Sequence, residues 1–319
     1  NMTGQEQNKE ISCSIVIPVF CNELNVEPTF NKINEVVIKK NPHLSFEVIF
    51  VDDGSYDNSL EKLVELKNKH EGLIKIIKFT RNFGQVNAIY AGYSKAKGKC
   101  IVNISADLQD SPELINEMFK YHYEEHYPIV ICTRSDRDES FARRTTSKIF
   151  YAAMRKLSFS NMPAGGFDFL LVDQKVKSLL LSNMEANAFW QGQILWTGYR
   201  VKFIPYTRQK RELGESKWTF SKKLKYLIDG VLGYSFLPIR LMSILGLLIS
   251  FSGFIYSIFI VIAKITGNVP FQGWAPLMIL VLLLSGFQML MLGVIGEYLW
   301  RTLDEVRRRQ AYVIESFYD

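Results

Sequence analysis

Apolar and polar positions fall into two regimes along the chain. Up to about residue 130, short apolar runs alternate with helix-length mixed stretches; from Leu241 onward, two long apolar blocks dominate. Cys13 to Phe20 is a β-rich run, followed by a polar turn at Cys21 to Asn25 and a helical stretch to about Lys40. Phe46 to Val51 reads as a second strand, closed by Asp52 and Asp53. Asn58 to Lys69 reads as a helix, Ile74 to Phe79 as a third strand and Ile101 to Ile104 as another. Continuous apolar strands separated by helices predict an α/β fold: a mostly parallel central sheet, covered on both faces, with ligands at the carboxyl ends of its strands.

Leu241 to Ala263 and Trp274 to Gly296 are each 23 residues long without a charge. At about 1.5 Å per residue, each reaches roughly 34 Å, enough to cross a hydrocarbon layer of about 30 Å. Joined by a short loop, they predict a two-helix transmembrane hairpin in which each backbone group is bonded within its own helix. Arg301, Arg307, Arg308 and Arg309 follow the second block, Lys217, Lys222, Lys223, Lys225 and Arg240 precede the first, and the loop between carries only Lys264. The positive-inside rule therefore places the N-terminal domain and both termini in the cytoplasm. Ahead of the hairpin, Phe220, Leu224, Leu227, Ile228 and Val231 recur at helical spacing with lysines between them. Such a helix either lies in the interface on anionic lipids or packs on the soluble domain. The organisation this predicts is a flexible N-terminus (1–10), an α/β domain (11–216), an amphipathic juxtamembrane segment (217–237), a two-helix transmembrane region (238–298) and a cytoplasmic C-terminal tail (299–319).

A net charge of +6 over 319 residues suits a nucleic-acid binder, an anionic membrane surface or a phosphorylated substrate. The basic residues cluster beside the apolar blocks and no nucleic-acid module accompanies them, which argues against nucleic acid. Cys13, Cys21, Cys100 and Cys132 include no CxxC pair and have no nearby histidines, so free thiols are expected rather than a disulfide framework or a zinc site. No apolar segment precedes Ile11, and no signal peptide is predicted. The candidate chemistry lies at the strand ends: Asp52 and Asp53 after the second strand, and Ser105, Asp107, Gln109 and Asp110 after the one beginning at Ile101. A carboxylate there can accept a sugar hydroxyl or a base N–H; with another oxygen ligand it can hold Mg2+ or Mn2+ against a diphosphate. Turns are also rich in aspartate for purely local reasons.

The run Ser14-Ile-Val-Ile-Pro-Val-Phe20 with Asn22 and Glu23, then Val51-Asp-Asp-Gly-Ser55, Arg81-Asn-Phe-Gly-Gln85 and Ala106-Asp-Leu-Gln-Asp110, resembles family 2 glycosyltransferases of the GT-A fold. The likeness continues through Thr133-Arg134, Asp136-Arg137, Arg143-Arg144, Phe167-Asp-Phe169 and Gly214-Glu-Ser-Lys217. With the hairpin, it covers about residues 11–312 and is similar to the membrane-bound polyprenyl-phosphate glycosyltransferases, such as undecaprenyl-phosphate sugar synthases and dolichyl-phosphate mannose synthase. The resemblance implies a hexosyltransferase at the inner membrane of a bacterial cell. Pro18 and Glu23 would lie on the first loop around the nucleotide, Asp53 would hold its base or ribose, and Arg81 and Ser105 would join the donor-binding set. Asp107 and Gln109 would bind Mg2+ or Mn2+ against the donor diphosphate. Asp168 would face the sugar or acceptor, Arg134, Arg137 and Arg144 the lipid phosphate, and Lys217 would close on phosphates. Structural alternatives stay open: Asp53 as a helix cap, Asp168 paired with an arginine, the arginines as solvated charges. Two departures bear on metal and sugar choice. Ser105-Ala106-Asp107 stands where relatives show Asp-Ala-Asp, and Gln191-Gly192 where they often carry Arg-Gly.

The implied partners are a nucleotide-sugar donor, UDP-linked, a polyprenyl-phosphate acceptor and anionic lipids, with a homo-oligomer and a downstream flippase or glycosyltransferase as further candidates. A phosphate monoester needs little help from a general base, so direct attack and inversion at the anomeric carbon are expected, without a covalent glycosyl-enzyme. The rival readings are a processive polysaccharide synthase, whose Gln-x-x-Arg-Trp motif this chain lacks, and a noncatalytic nucleotide-sugar-binding membrane scaffold.

Overall fold

The computed structural model describes residues 10–136, 155, 161–163, 166–184, 189–207, 237–266, 275–307 and 309–319. It divides into two compact units, Asn1–Leu227 with Gln310–Asp319, and Ile228–Arg309. The amphipathic segment expected over 217–237 falls, apart from Leu237, outside the described residues.

The first unit is built on strands β1 (Cys13–Val19), β2 (Phe46–Asp52), β3 (Ile74–Phe79), β4 (Cys100–Asn103), β5 (Ile129–Asp136), β6 (Phe169–Asp173), β7 (Val201–Thr207) and β8 (Ile314–Tyr318). Between them lie α1 (Val26–Ile33, continued by a wider turn over Asn34–Ile38), α2 (Ser59–Lys69), α3 (Gln85–Lys95), α4 (Leu114–Phe119), α5 (Gln174–Ser182) and α6 (Trp190–Trp196). The strands form one sheet in the order β7-β5-β6-β4-β1-β2-β3-β8. Its central block, β3-β2-β1-β4, is parallel. That block is made of the four strands legible in sequence, and its residues are buried on both faces: Ile15, Ile17, Val48 and Phe50 pack to one side with Phe30, Ile33 and Leu63. Outside the block the sheet is mixed. β6 runs antiparallel to both β4 and β5, β7 is parallel to β5, and β8 is antiparallel to β3. The sheet is thus parallel through its centre, as expected, and mixed at its flanks.

Two reversals through β6 restore direction, so β5 and β7 point the same way as β4. The carboxyl ends of β1, β2, β3, β4, β5 and β7, and the amino end of β6, therefore share one edge of the sheet. Pairing of β1 with β4 ends at Val16 and Asn103, two residues before Pro18. A proline, which has no N–H to give, sits where the ladder on that side has stopped, and the two strand ends are released into separate loops.

Residues 299–319, expected as a tail, are otherwise employed. The second apolar helix continues to Arg307, and β8 then pairs with β3, matching Ile76 with Tyr318 and Phe79 with Ile314. The strand is seated by side chains as well as by its ladder. Tyr312 stacks on Phe79 with centroids 5.2 Å apart, Lys78 meets Glu315 at 2.9 Å, and Lys75 bridges Asp319 at 2.6 Å and the buried Glu47 at 3.4 Å. All four cysteines are free; burial pushes the thiols of Cys13 and Cys132 well up, which leaves them unreactive packing groups.

The second unit holds α7 (Leu237–Ile265) and α8 (Ala275–Arg307). Both contain a stretch long and apolar enough to cross a membrane, within Ile239–Ala263 and within Leu277–Arg307. Ser243, Ser252 and Ser257 return their hydroxyls to carbonyls four residues back at 2.8–3.0 Å, so these polar groups are satisfied inside the helix.

Candidate active site

The loops at the shared sheet edge are held by hydrogen bonds between strands remote in sequence. After β1, the N–H groups of Cys21 and Asn22 donate to Ser55 Oγ and Ser59 Oγ, each at 2.8 Å. Glu23 accepts from the Asn58 N–H at 3.1 Å, so its carboxylate helps seat the start of α2. After β2, the Asp53 N–H donates to the Val19 carbonyl at 2.8 Å, and its carboxylate accepts from the N–H groups of Phe83 at 2.6 Å and Gly84 at 2.9 Å. Asp53 thus secures the Arg81 to Gln85 loop just ahead of α3, binding amides that precede the helix rather than capping its first turn. Arg81 itself is exposed, its guanidinium lying 4.1 Å from the Phe83 ring centroid.

Asp53 is only 3% exposed, and burial pushes its carboxyl up to about 6, against the opposing pull of the Phe83 and Gly84 amides. An unfolded aspartate titrates near about 3.9, so the native state holds this proton more tightly than the unfolded chain. The stability gained is complete below about pH 4 and is lost as pH rises through about 6. Asp53→Asn should flatten that part of the stability profile, read from urea midpoints across pH 4 to 7. Parallel curves for variant and parent would exclude Asp53 as the titrating group.

After β4 the chain turns sharply, with Leu108 at φ 55°, and Thr29 on α1 pins the turn by donating to the Ala106 carbonyl at 3.1 Å. Ser105 Oγ lies 2.7 Å from Asp107 Oδ1 and 2.8 Å from Asp110 Oδ2. The Gln109 N–H reaches Asp107 Oδ1 at 3.3 Å, and the Tyr206 hydroxyl, arriving on β7, donates to Asp110 Oδ1. On the far side of β4, Asp168 sits at the entry to β6. Its carboxylate pairs with Arg134 of β5 and its carbonyl accepts from Asn103 Nδ2, while Asn103 Oδ1 takes the Tyr93 hydroxyl at 2.7 Å. Gln191, at the start of α6, is buried; its Nε2 donates to the Phe167 carbonyl at 2.7 Å, and its Oε1 has no partner among the described residues.

The structure therefore gathers Pro18 at the end of β1, Glu23, Asp53 and Arg81 on the loops after β1, β2 and β3, Ser105, Asp107 and Gln109 on the β4 loop, and Arg134 with Asp168 beyond it. Arg137, Arg144 and Lys217 lie outside the described residues. Sequence reasoning gave Asn103, Tyr93 and Tyr206 no part. Only Asn103 carried a signal, as a polar residue ending an apolar strand. Among the described residues no three His, Cys, Asp or Glu side chains converge on one point. The Asp107 carboxylate is still a fitting protein donor for Mg2+ or Mn2+, hard cations often held by one or two protein oxygens while substrate phosphates supply others.

Comparison with known proteins agrees with this architecture. The model of glycosyl transferase family 2 matches residues 14–178. A Bacillus subtilis glycosyltransferase, YkcC, is 37% identical over 312 residues, covering 98% of this chain and 95% of its own. The SfII prophage-derived bactoprenol glucosyl transferase of Shigella flexneri is 30% identical over 304 residues, covering 95% and 97%. A mannosyltransferase from Pyrobaculum calidifontis, solved with GDP-Man and Mn2+, shares the fold with a TM-score of 0.51 at 15% identity, over 71% of this chain and 64% of that one. With more than half its length matched by the family model and near full-length relatives at 30% identity or above, the chain belongs to glycosyl transferase family 2.

Proposed function

We propose that this glycosyltransferase moves a hexose from a nucleoside-diphosphate sugar, UDP-linked, to a polyprenyl phosphate such as undecaprenyl phosphate, at the cytoplasmic face of a bacterial inner membrane. The observation that carries the reading is the joining, in one chain, of a GT-A sheet edge presenting Asp107 to two helices long and apolar enough to cross a bilayer. The bactoprenol glucosyl transferase name of a relative spanning nearly the whole chain supports it.

On this reading the end of β1 and the loops after β1, β2 and β3, with Pro18, Glu23, Asp53 and Arg81, form the nucleotide side of the site. Asp53 acts there by fixing the Phe83–Gly84 backbone. Asp107 and Gln109 would hold Mg2+ or Mn2+, which would supply charge neutralisation for the departing diphosphate. Arg134, held by Asp168, with Arg137, Arg144 and Lys217, orients the attacking phosphate and lowers repulsion between two anions. The acceptor oxygen attacks opposite the leaving group, so the anomeric centre inverts. The apolar helices keep the domain where the acceptor is, because a lipid tail enters water at a cost of about 0.8 kcal/mol per CH2.

The test is a screen of UDP- and GDP-sugars against a polyprenyl phosphate with Mg2+ or Mn2+, with mass analysis of the lipid and the anomeric configuration of its product. A single-hexose lipid phosphate of inverted configuration is expected. A folded protein that binds nucleotide yet turns over no donor would instead establish the scaffold reading.

A further inference from the structure

Asp110 has no part in the reaction as described, yet it is among the most buried carboxylates of the sheet edge, at 1% exposure. Its Oδ1 accepts from the Tyr206 hydroxyl and its Oδ2 lies 2.8 Å from Ser105 Oγ. The same Ser105 oxygen lies 2.7 Å from Asp107 Oδ1. A serine hydroxyl has a single hydrogen, so two carboxylates compete for one donor. We propose that Asp110 and Tyr206 are positioning residues that set how tightly Asp107 holds a divalent cation, by competing with Asp107 for the Ser105 hydrogen. The inference rests on the proposed cation role of Asp107.

While the hydrogen points at Asp107, it offsets part of the charge on Oδ1 and occupies a direction that a cation would use. Capture of a cation by Asp107 repels that hydrogen, which rotates about the Cβ–Oγ bond onto Asp110. No proton is transferred. Asp110 thus lowers the cost of freeing Asp107, and Tyr206 tunes the competition from behind. A phenol already donating to Asp110 weakens the demand of Asp110 for a second donor. An aspartate at position 105 would have no hydrogen to hand over at neutral pH, so this device belongs to the serine that stands there.

The signs of the effects follow. Tyr206→Phe removes one donor from Asp110, draws the Ser105 hydrogen away from Asp107 and should tighten cation binding by about threefold. Asp110→Asn can turn its amide N–H toward Ser105 Oγ and force the hydrogen onto Asp107; with the loss of a nearby negative charge, binding should weaken by about tenfold. In a Ser105→Ala background the Tyr206→Phe effect should vanish and the Asp110→Asn effect should shrink to its through-space part.

The experiment is a Mn2+ titration of the full chain in detergent, with UDP present, following free Mn2+ by electron paramagnetic resonance and checking the fold by thermal melting. Tightening by Tyr206→Phe that disappears with Ala at 105 supports the link. Weakening, no change, or an equal change in both backgrounds overturns it. Should Tyr206→Phe fail to fold, Asp110→Asn decides, and an undiminished loss in the Ala background overturns the link. Asp107→Asn separates the two levels. If it binds Mn2+ as the parent does, or the parent binds none, the cation reading itself fails; if it loses binding while the other effects are additive, only the hydrogen link fails.

Discussion

Asp107→Asn should lower metal-dependent sugar transfer by about a hundredfold or more, the scale on which removing an aimed electrostatic group acts. The substitution is nearly isosteric. An asparagine Oδ1 can still accept from Ser105 Oγ and the Gln109 N–H, as the carboxylate does at 2.7 and 3.3 Å. What disappears is the charge. Because Asp107 lies close to Asp110 through Ser105, losing that charge also relieves repulsion, and the melting temperature should hold or rise slightly. Transfer rates at graded Mg2+ and Mn2+, with the melt as control, decide the matter. Turnover within threefold of the parent at every metal concentration would remove Asp107 from the cation site.

The largest loss of stability is expected at Gly54. It sits at φ 69°, a left-handed backbone that side-chain-bearing residues resist. A Cβ there would lie 2.3 Å from the carbonyl carbon of Arg81, 2.7 Å from its Cα and 2.7 Å from the Asn82 nitrogen. All three are backbone atoms, so no side chain can swing aside. Gly54→Ala must push apart the β2 and β3 loops, which Asp53 otherwise ties through Phe83 and Gly84. A cost of about 3 kcal/mol or more follows from strain and clash together. In a domain of this size that lowers the melting temperature by roughly 6–12 °C. Nucleotide binding should fall with it, since the loops involved are those assigned to the donor. A variant that melts within about 1 °C of the parent would mean that the two loops do not meet this closely.

The strands β1 to β4 were legible because each is a continuous apolar run ending in polar residues, and a run buried on both faces has little other reading. The direction of β6 was not. Phe169–Asp173 is as apolar as the others, and nothing in five residues encodes whether a strand enters a sheet from above or below. β8 was hidden by its surroundings. It follows a helix end rich in arginine, alternates in burial, and finds its partner far back in the chain. At the site, sequence located the carboxylates but not their allegiances. An aspartate at a strand tip is the same letter whether it faces a ligand, like the role assigned to Asp107, or takes loop amides, as Asp53 does. Tyr206 could not be found by spacing, since it meets Asp110 only because β7 lies parallel to β5 at the far side of the sheet.

The return of β8 to β3 also imposes an order on synthesis. Lys78 and Glu315, which pair across this ladder, are 237 residues apart, and both apolar helices are translated between them. The outer edge of β3 must therefore stay open, with its unpaired amides and carbonyls available to any other strand, until those helices have been made. Closing so long a loop is slow, and the last strand is placed only after the chain has passed through its most aggregation-prone stretch. A nascent chain that stops short of Ile314 would carry an unfinished sheet, with the β3 edge bare where β8 belongs.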